Sequence, residues 1–436
     1  MITHFDRPWS MGTGDLNALR SLVALHPKVR WTHLYNPVAY TQATPLRAEM
    51  EKFVLDASRS GHEVGMHVHM YRSLVESAGV TFRMQPSVSC GSDSSGYRVP
   101  ISSYGRPEIH RVIERGVTIL RSRGLPPLKT FCAGFYTTSV ALQGVITDLG
   151  FTVSAAAYPV AAKFGRNFGG CWPSLSGWDA TVTEMTRPYL VSKTSILPAG
   201  KPPYLACSRG PLMELVQTCK IDWMVTAAEM KAVFDRHVAV AANGTSTVVC
   251  LSFHEESASA NFTKFDDVLT HIDAALNGKT SVAYATASQI REAFLPTQFK
   301  VARPLTASRC ALYPQRLGRV ALVDYDLDAG TTHANKAYVL LSSAAGTSPG
   351  LRLSNHVLPL NPDPWLTFTL AHPNAFVIGS LGLLDARAGT GQARIALPAA
   401  LAYSLIGLSL HHAFVVIDPS RPSFDLTSNA VPLVVR

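Results

Sequence analysis

Residues 61–71, Gly-His-Glu-Val-Gly-Met-His-Val-His-Met-Tyr, hold three histidines, and two of them, His67 and His69, stand two positions apart. On a strand, residues two apart share a face. Two imidazoles aimed the same way can grip one metal ion without contorting the backbone. The same pair can also be read as ordinary histidines at a strand end. Three more polar clusters stand where strands are expected to finish. Asp6 follows Ile2–Phe5 and precedes Arg7 and Pro8; Cys132-Ala-Gly-Phe-Tyr136 follows Thr130; His254-Glu-Glu256 follows Thr247–Phe253. One carboxylate and two imidazoles can hold a divalent ion and leave positions open for water and substrate. A further histidine on the opposite side could act as general acid. Singly, each residue has a plainer reading: Asp6 as a turn cap before Pro8, His254 as a structural strand-end histidine. Together at successive strand ends they carry more weight, because a barrel brings such ends to one rim.

The elements that would position these residues alternate in type. Apolar runs at Ile2–Phe5, Val29–Leu34, Glu63–Val68, Thr130–Cys132, Thr152–Ala156 and Thr247–Phe253 predict strands. Amphipathic segments lie between them. Residues 107–124 and 139–149 each end at a glycine, and Thr226-Ala-Ala-Glu229 predicts a capping box with Val225 and Met230 as a hydrophobic staple. Thr44 with Pro45 predicts the start of a helix that Gly61 stops. This is the texture of repeated β-α units around a parallel sheet. Beyond about residue 305 it changes to Pro, Gly, Ser and short β-rich runs: Tyr338–Leu341, Leu366–Leu370, Ala375–Ile378, Ala393–Leu397 and Ala413–Ile417. These predict a small antiparallel β-sandwich. The expected domains are therefore 1–304 and 305–436. If the last run is a strand, His411 and His412 fall on opposite faces, which disfavours them as a metal pair.

Composition narrows the function classes. The chain has 436 residues, 47% hydrophobic and 16% charged, which describes a globular protein. The net charge of +9 is scattered, with no block of five like charges, so no nucleic-acid partner is expected. No apolar run is long enough for a membrane span. Seven cysteines include no Cys-x-x-Cys pair, and the odd count leaves at least one thiol free or paired between chains.

The order of these segments resembles the polysaccharide deacetylases, the NodB-homology or carbohydrate esterase family 4 superfamily. The resemblance rests on Phe5-Asp6, on Gly61-His-Glu-Val-Gly-Met-His67, on Phe131-Cys-Ala-Gly-Phe-Tyr136 with Leu149-Gly-Phe151, and on Leu251-Ser-Phe-His254. It implies a distorted (β/α) barrel over roughly residues 1–300 and metal-dependent removal of acetyl groups from a sugar amide or ester. The resemblance makes Asp6, His67 and His69 the ligands of zinc, with cobalt, nickel or manganese as alternatives. His254 becomes the general acid. Acetylated carbohydrate or another acylated substrate becomes the partner. The expected location is secreted, periplasmic or cell-surface after removal of a leader, with a cytoplasmic one as the alternative.

Three positions depart from the family pattern. Arg7 stands where a second aspartate is usual, so the base must come from elsewhere; Asp15 is the nearest carboxylate, although it also suits an N-cap for a helix starting at Leu16. The usual His-x-x-x-His would place its second ligand at Tyr71, so His69 must substitute. Cys132 replaces the arginine that orients the catalytic aspartate, and a thiol offers no guanidinium fork; a packed small residue is its plainest role, a reactive thiol or a soft ligand the alternatives. Tyr136, or a backbone N–H beside Gly134, could donate to an oxyanion. Trp9, His33, Tyr35 and Asn36 follow early strands and are candidate substrate contacts. So is Tyr97, in the long polar loop from Cys90 to Pro100. Glu214 and Asp222 could orient the general acid. The rival expectations are a sugar-binding barrel with a dismantled site and a hydrolase of another ester, such as a polyester.

Overall fold

The computed structural model describes residues 1–161, 170–218, 225–279, 283–300, 303–313, 321–418 and 423–436. Asp222 and Cys219 lie outside them. The described residues fall into two compact units. The first comprises Met1–Ile146, Phe151–Leu205 and Pro211–Pro296; the second comprises Thr147–Gly150, Ala206–Gly210 and Thr297–Arg436. Two short internal segments and the stretch from Thr297 onward thus belong to the second unit, which begins before the expected boundary at 304/305.

In the first unit the strands are β1 (Ile2–His4), β2 (Thr32–Tyr35), β3 (Glu63–Val68), β4 (Thr130–Ala133), β5 (Val153–Ala157), β6 (Tyr189–Leu190), β7 (Met213–Val216) and β8 (Ser252–His254). They form one sheet in the order β8-β1-β2-β3-β4-β5-β7-β6. Every pairing is parallel except that of β6 with β7. Helices follow the strands: α1 (Thr13–Leu25), α2 (Arg47–Arg59), α3 (Arg72–Ser77), α4 (Arg106–Ser122), α5 (Val140–Asp148), α6 (Ala227–Ala242), α7 (Ala258–Leu276) and α8 (Ala287–Phe294). This is a distorted (β/α) barrel. Parallel strands buried on both faces read as apolar runs, as they do here.

The predicted capping box forms at α6: Thr226 Oγ1 accepts from the Glu229 N–H, and the Glu229 carboxylate accepts from the Thr226 N–H. The predicted start of α2 moves. Thr44 and Pro45 make a turn, in which the Arg47 N–H donates to the Thr44 carbonyl, and the helix begins at Arg47. Gly61 ends that stretch with φ +83°, a conformation that side chains with a Cβ resist.

The second unit has a four-stranded sheet (Leu305–Ala307, Ala321–Asp328, Thr390–Leu397, Val377–Ile378) and a larger one built on Ala337–Ser343, Ser409–Asp418 and Val431–Val435. Leu305, Val323, Tyr325 and Ile395 of the first share one core with Leu340, Phe414, Val416 and Leu433 of the second. The run at 366–370 is not a strand. Asp363 caps a helix over Pro364–Ala371, its side chain accepting from the Leu366 N–H, and Pro364 takes the first helical position. That start signal outweighs the short apolar run. His412 is fully buried and His411 is not, as a strand requires.

Candidate metal centre

Because the strands run parallel, their carboxyl ends reach one rim. His4 pairs in register with His254 on β8 and Leu34 on β2, and His67 with Cys132 on β4. Alternation then sorts the side chains. Thr3 points to one side of the sheet and meets His33 and Glu255, while His4 and Asp6 point to the other and meet His67 and His254.

Asp6, His67 and His69 offer donor atoms that all lie within 4.8 Å of one another, and all three residues are buried. His67 Nε2 is 2.8 Å from Asp6 Oδ1, and His69 Nε2 is 3.2 Å from Oδ2. The opposite nitrogens decide the protonation. His67 Nδ1 lies 3.0 Å from the Cys132 carbonyl, and His69 Nδ1 lies 2.8 Å from the Tyr97 carbonyl. A carbonyl only accepts, so each Nδ1 carries the proton, and in the neutral ring each Nε2 presents a lone pair. Burial pushes the His67 pKa down and opposes a second proton there, although Asp6 counters it. Lone pairs therefore meet a carboxylate. Asp6 Oδ1, His67 Nε2 and His69 Nε2 are buried and face one another, with no other hydrogen-bond partner. Orphaned groups of this kind are costly, and a divalent cation is the species that satisfies all three at once. Histidines whose far nitrogens donate to carbonyls are also the usual supporting arrangement for a metal. The residues present fit a zinc-like ion.

Asp6 is held from several sides. Burial alone would raise its pKa, but a proton on the neighbouring imidazoles, His254 first and then His69 and His67, outweighs that and holds the carboxyl well below the usual carboxylate range. Tyr97 donates its hydroxyl to Oδ2 at 3.1 Å, and Tyr71 donates to the Asp6 carbonyl at 3.1 Å. His254 reaches the same carboxylate, its Nε2 3.2 Å from Oδ2, without joining the three-residue ligand group. A proton-carrying imidazole beside the ligands is what that placement offers.

A second set, His4, His67 and Cys132, is equally close. Its chemistry differs. The Gln217 amide nitrogen donates to the Ala155 carbonyl at 2.6 Å, which turns its oxygen toward His4 Nε2 at 3.0 Å. Burial pushes the Cys132 thiol well up, so it stays protonated. This layer supports His67 from beneath, and Cys132 is the packed small residue of the plainest reading.

The other candidates separate. Asp15 is the third residue of α1. One of its oxygens accepts from the Gly12 N–H at 2.9 Å, and the other accepts from the backbone N–H and hydroxyl of Ser259, joining α1 to α7. Both oxygens are thereby committed to helix ends. His33 and Tyr35 are fully buried on the far face of β2, against Phe53 and Phe5 respectively, and neither faces the cluster. Asn36 is buried too, its amide 3.4 Å from the Asp6 carbonyl, so it steadies the aspartate's backbone. Tyr136 lies in the lower layer, its hydroxyl paired with Ser252 and its pKa raised well above normal by burial. Trp9 is half-buried, edge-on to Tyr71, in an open cleft of ≈ 370 Å³ shared with Gln42, Ser73 and Glu76. Arg7 lies over the Tyr97 ring, its guanidinium carbon 4.2 Å from the centroid. Glu214 sits deep in the sheet, accepting from the Ala156 and Ala157 N–H groups and from Gln143.

Gly134, read from the sequence only as lying beside a candidate oxyanion N–H, packs against His69 itself. A Cβ there would fall 2.4 Å from His69 Nδ1. The two residues after it, Phe135 and Tyr136, hold φ of +53° and +57°, which is unusual for aromatic residues.

No family profile matches the sequence, and no curated protein does. Solved structures show a distant likeness. One is a candidate polysaccharide deacetylase from Mycobacterium smegmatis, 14% identical, spanning 70% of this chain and 93% of that one at a TM-score of 0.42. Another is a candidate glycoside hydrolase/deacetylase from Parabacteroides distasonis, 9% identical over 74% and 77% at 0.44. A third is a family 4 carbohydrate esterase from Streptomyces lividans in complex with acetate, 12% identical over 65% and 95% at 0.32.

Proposed function

We propose that this chain is a metal-dependent hydrolase that removes acetyl or other acyl groups from a carbohydrate amide or ester. The observation that carries the reading is the convergence of Asp6, His67 and His69 with their lone pairs unshared. Asp6, His67 and His69 would hold the ion, zinc by donor type, which when bound polarises the acyl carbonyl and a water. The protein supplies the rest. His67 and His69 keep their Nε2 atoms free because the Cys132 and Tyr97 carbonyls hold the opposite protons. Asp15 is bound to helix ends, Asp6 is the carboxylate that meets these imidazoles, and His254 beside it manages the proton. It takes one from the attacking water, Asp6 Oδ2 stabilises the imidazolium, and the same proton goes to the leaving nitrogen or oxygen. The open cleft beside Trp9 would receive a sugar ring. Two disulfides, Cys90–Cys171 and Cys207–Cys310, suit a secreted, periplasmic or cell-surface location.

A second reading, a sugar-binding barrel without turnover, is favoured by Arg7 in place of a second carboxylate. Metal content and turnover together separate the two. Elemental mass spectrometry of the purified chain should find about one divalent ion per molecule. His69→Ala should lose it, together with hydrolysis of an acetylated-sugar panel. Metal retained in that variant sinks the ligand assignment, and metal without turnover on any acylated sugar or polyester favours the second reading.

A further inference from the structure

His69 is seated by two segments that come from elsewhere in the chain. On one side is Tyr97: its carbonyl accepts from His69 Nδ1 at 2.8 Å, its ring stacks on the imidazole at 4.4 Å, and its hydroxyl donates to Asp6. On the other side is Gly134-Phe135-Tyr136, with Gly134 against the imidazole and the Phe135 ring edge-on to it at 5.3 Å. The Thr137 N–H closes the turn by donating to the Gly134 carbonyl, and two indoles from farther along the chain hold its left-handed residues. Trp172 donates its indole N–H to the Phe135 carbonyl at 2.7 Å, and Trp178 donates to the Tyr136 carbonyl at 2.6 Å. Both indoles are buried.

One covalent bond joins the two sides. Cys90 belongs to the loop that carries Tyr97, Cys171 immediately precedes Trp172, and the two form a disulfide with Cα atoms 5.1 Å apart. Around it the Val88 N–H donates to the Arg98 carbonyl and the Cys171 N–H to the Val88 carbonyl, while further along the loop the Arg72 N–H donates to the Ser95 carbonyl and Asp93 accepts from the Ser95 and Arg98 N–H groups. The Tyr97 loop contains no helix or strand between α3 and the short turn at Ile101–Ser103. The bond closes an 81-residue separation and ties the loop that carries Tyr97 directly to the segment that carries Trp172.

We propose that Cys90–Cys171 is a redox latch on the metal centre, with Tyr97, Trp172 and Trp178 as positioning residues that hold His69 through it. The inference rests on the metal reading above. A dithiol or phosphine reductant would break the S–S bond, two electrons and two protons giving two thiols while the reductant is oxidised. Tyr97 and the Trp172 segment could then part, and His69 would lose both its acceptor and its backing. Losing outer-shell partners of metal ligands typically weakens metal affinity by roughly 10–100-fold. The second disulfide, Cys207–Cys310, lies wholly in the other unit and serves as the internal control.

The test is zinc affinity of the full chain, by competition with a chromophoric chelator, before and after phosphine reduction and anaerobic removal of the reductant. The oxidised protein should bind about tenfold or more tightly than the reduced one, and reoxidation should restore it. Cys90→Ser with Cys171→Ser should bind as weakly as the reduced form and ignore the reductant. Cys207→Ser with Cys310→Ser should keep the full response. Cobalt absorption gives an independent readout, because a displaced His69 changes the ligand field. If the double variant fails to fold, the wild-type comparison decides, with thiol counting to prove that the bond opened. Equal affinity in both redox states overturns the latch, as does a response that persists in the Cys90/Cys171 variant. No zinc uptake by the oxidised protein overturns the metal reading itself, and the latch with it.

Discussion

A single missing methyl group sets the geometry around His69. At Gly134 a Cβ would meet the imidazole at 2.4–2.6 Å on three of its atoms. Contact that close forces the ring or the backbone to move, and the ring is a proposed ligand. Gly134→Ala should therefore fold, because the glycine lies outside the positive-φ region, yet bind zinc at least about tenfold more weakly, as loss of ligand orientation does elsewhere. Chelator competition measures it, and unchanged affinity would show that His69 tolerates displacement. The proposed ligand pair His67 and His69 was legible because i, i+2 spacing on a strand fixes a shared face, and the structure brings Asp6 to the same cluster. The substrate contacts were less legible for the same reason. His33 and Tyr35 also share a face, but which face depends on the register of β2 against β1, and Thr3 pairs with His33 on the helix side. No feature of the sequence around residue 33 records that. Burial then leaves His33 neutral, with its pKa lowered to about 3, in a sealed network with Thr3 and Glu255.

At the scale of elements, signals with a local mechanism could be read from the sequence and distant ones could not. The Thr226–Glu229 box and the glycine stops act within a few residues and appear where expected. Tyr97 joins the centre through a loop whose path is set by a disulfide to residue 171, and β6 and β7 are short strands with no periodicity to announce them. The helix at Pro364–Ala371 was hidden by five apolar or β-favouring residues, although Asp363-Pro364 is a start signal in its own right. Asp363 does more than cap. Besides the Leu366 N–H it accepts from the Ala344 and Ala345 N–H groups at 2.7 and 2.8 Å and from the Ser343 hydroxyl at 3.1 Å. A lost cap costs about 1 kcal/mol and each of the three further bonds, which lie near solvent, about 0.5. Asp363→Ala should destabilise the second unit by about 2–3 kcal/mol, read from its denaturant midpoint, while Asp363→Asn, which keeps one acceptor oxygen, should cost less. A loss below about 0.5 kcal/mol would mean that water replaces the carboxylate.

Across the whole molecule, two units with separate cores should not share one unfolding transition. Acid should expose this, because each core hides a neutral histidine. In the second unit His412 is fully buried with Nδ1 3.1 Å from the Tyr325 hydroxyl, and burial lowers its pKa from 6.5 to about 3. The sign follows from proton counting. Below pH 6.5 the unfolded chain takes up a proton that the folded unit refuses until about pH 3, so stability is full above 6.5 and falls as the pH drops. The fall approaches about 1.4 kcal/mol per pH unit for one such group. His33 imposes the same direction on the first unit. Calorimetry between pH 7 and 4 should therefore show both transitions moving to lower temperature. His412→Gln, which cannot titrate, should flatten the acid limb of one transition and leave the other unmoved. A limb equally steep in that variant would place the acid sensitivity of the second unit in its carboxylates. A shift of both transitions together would instead mean that the two cores unfold as one.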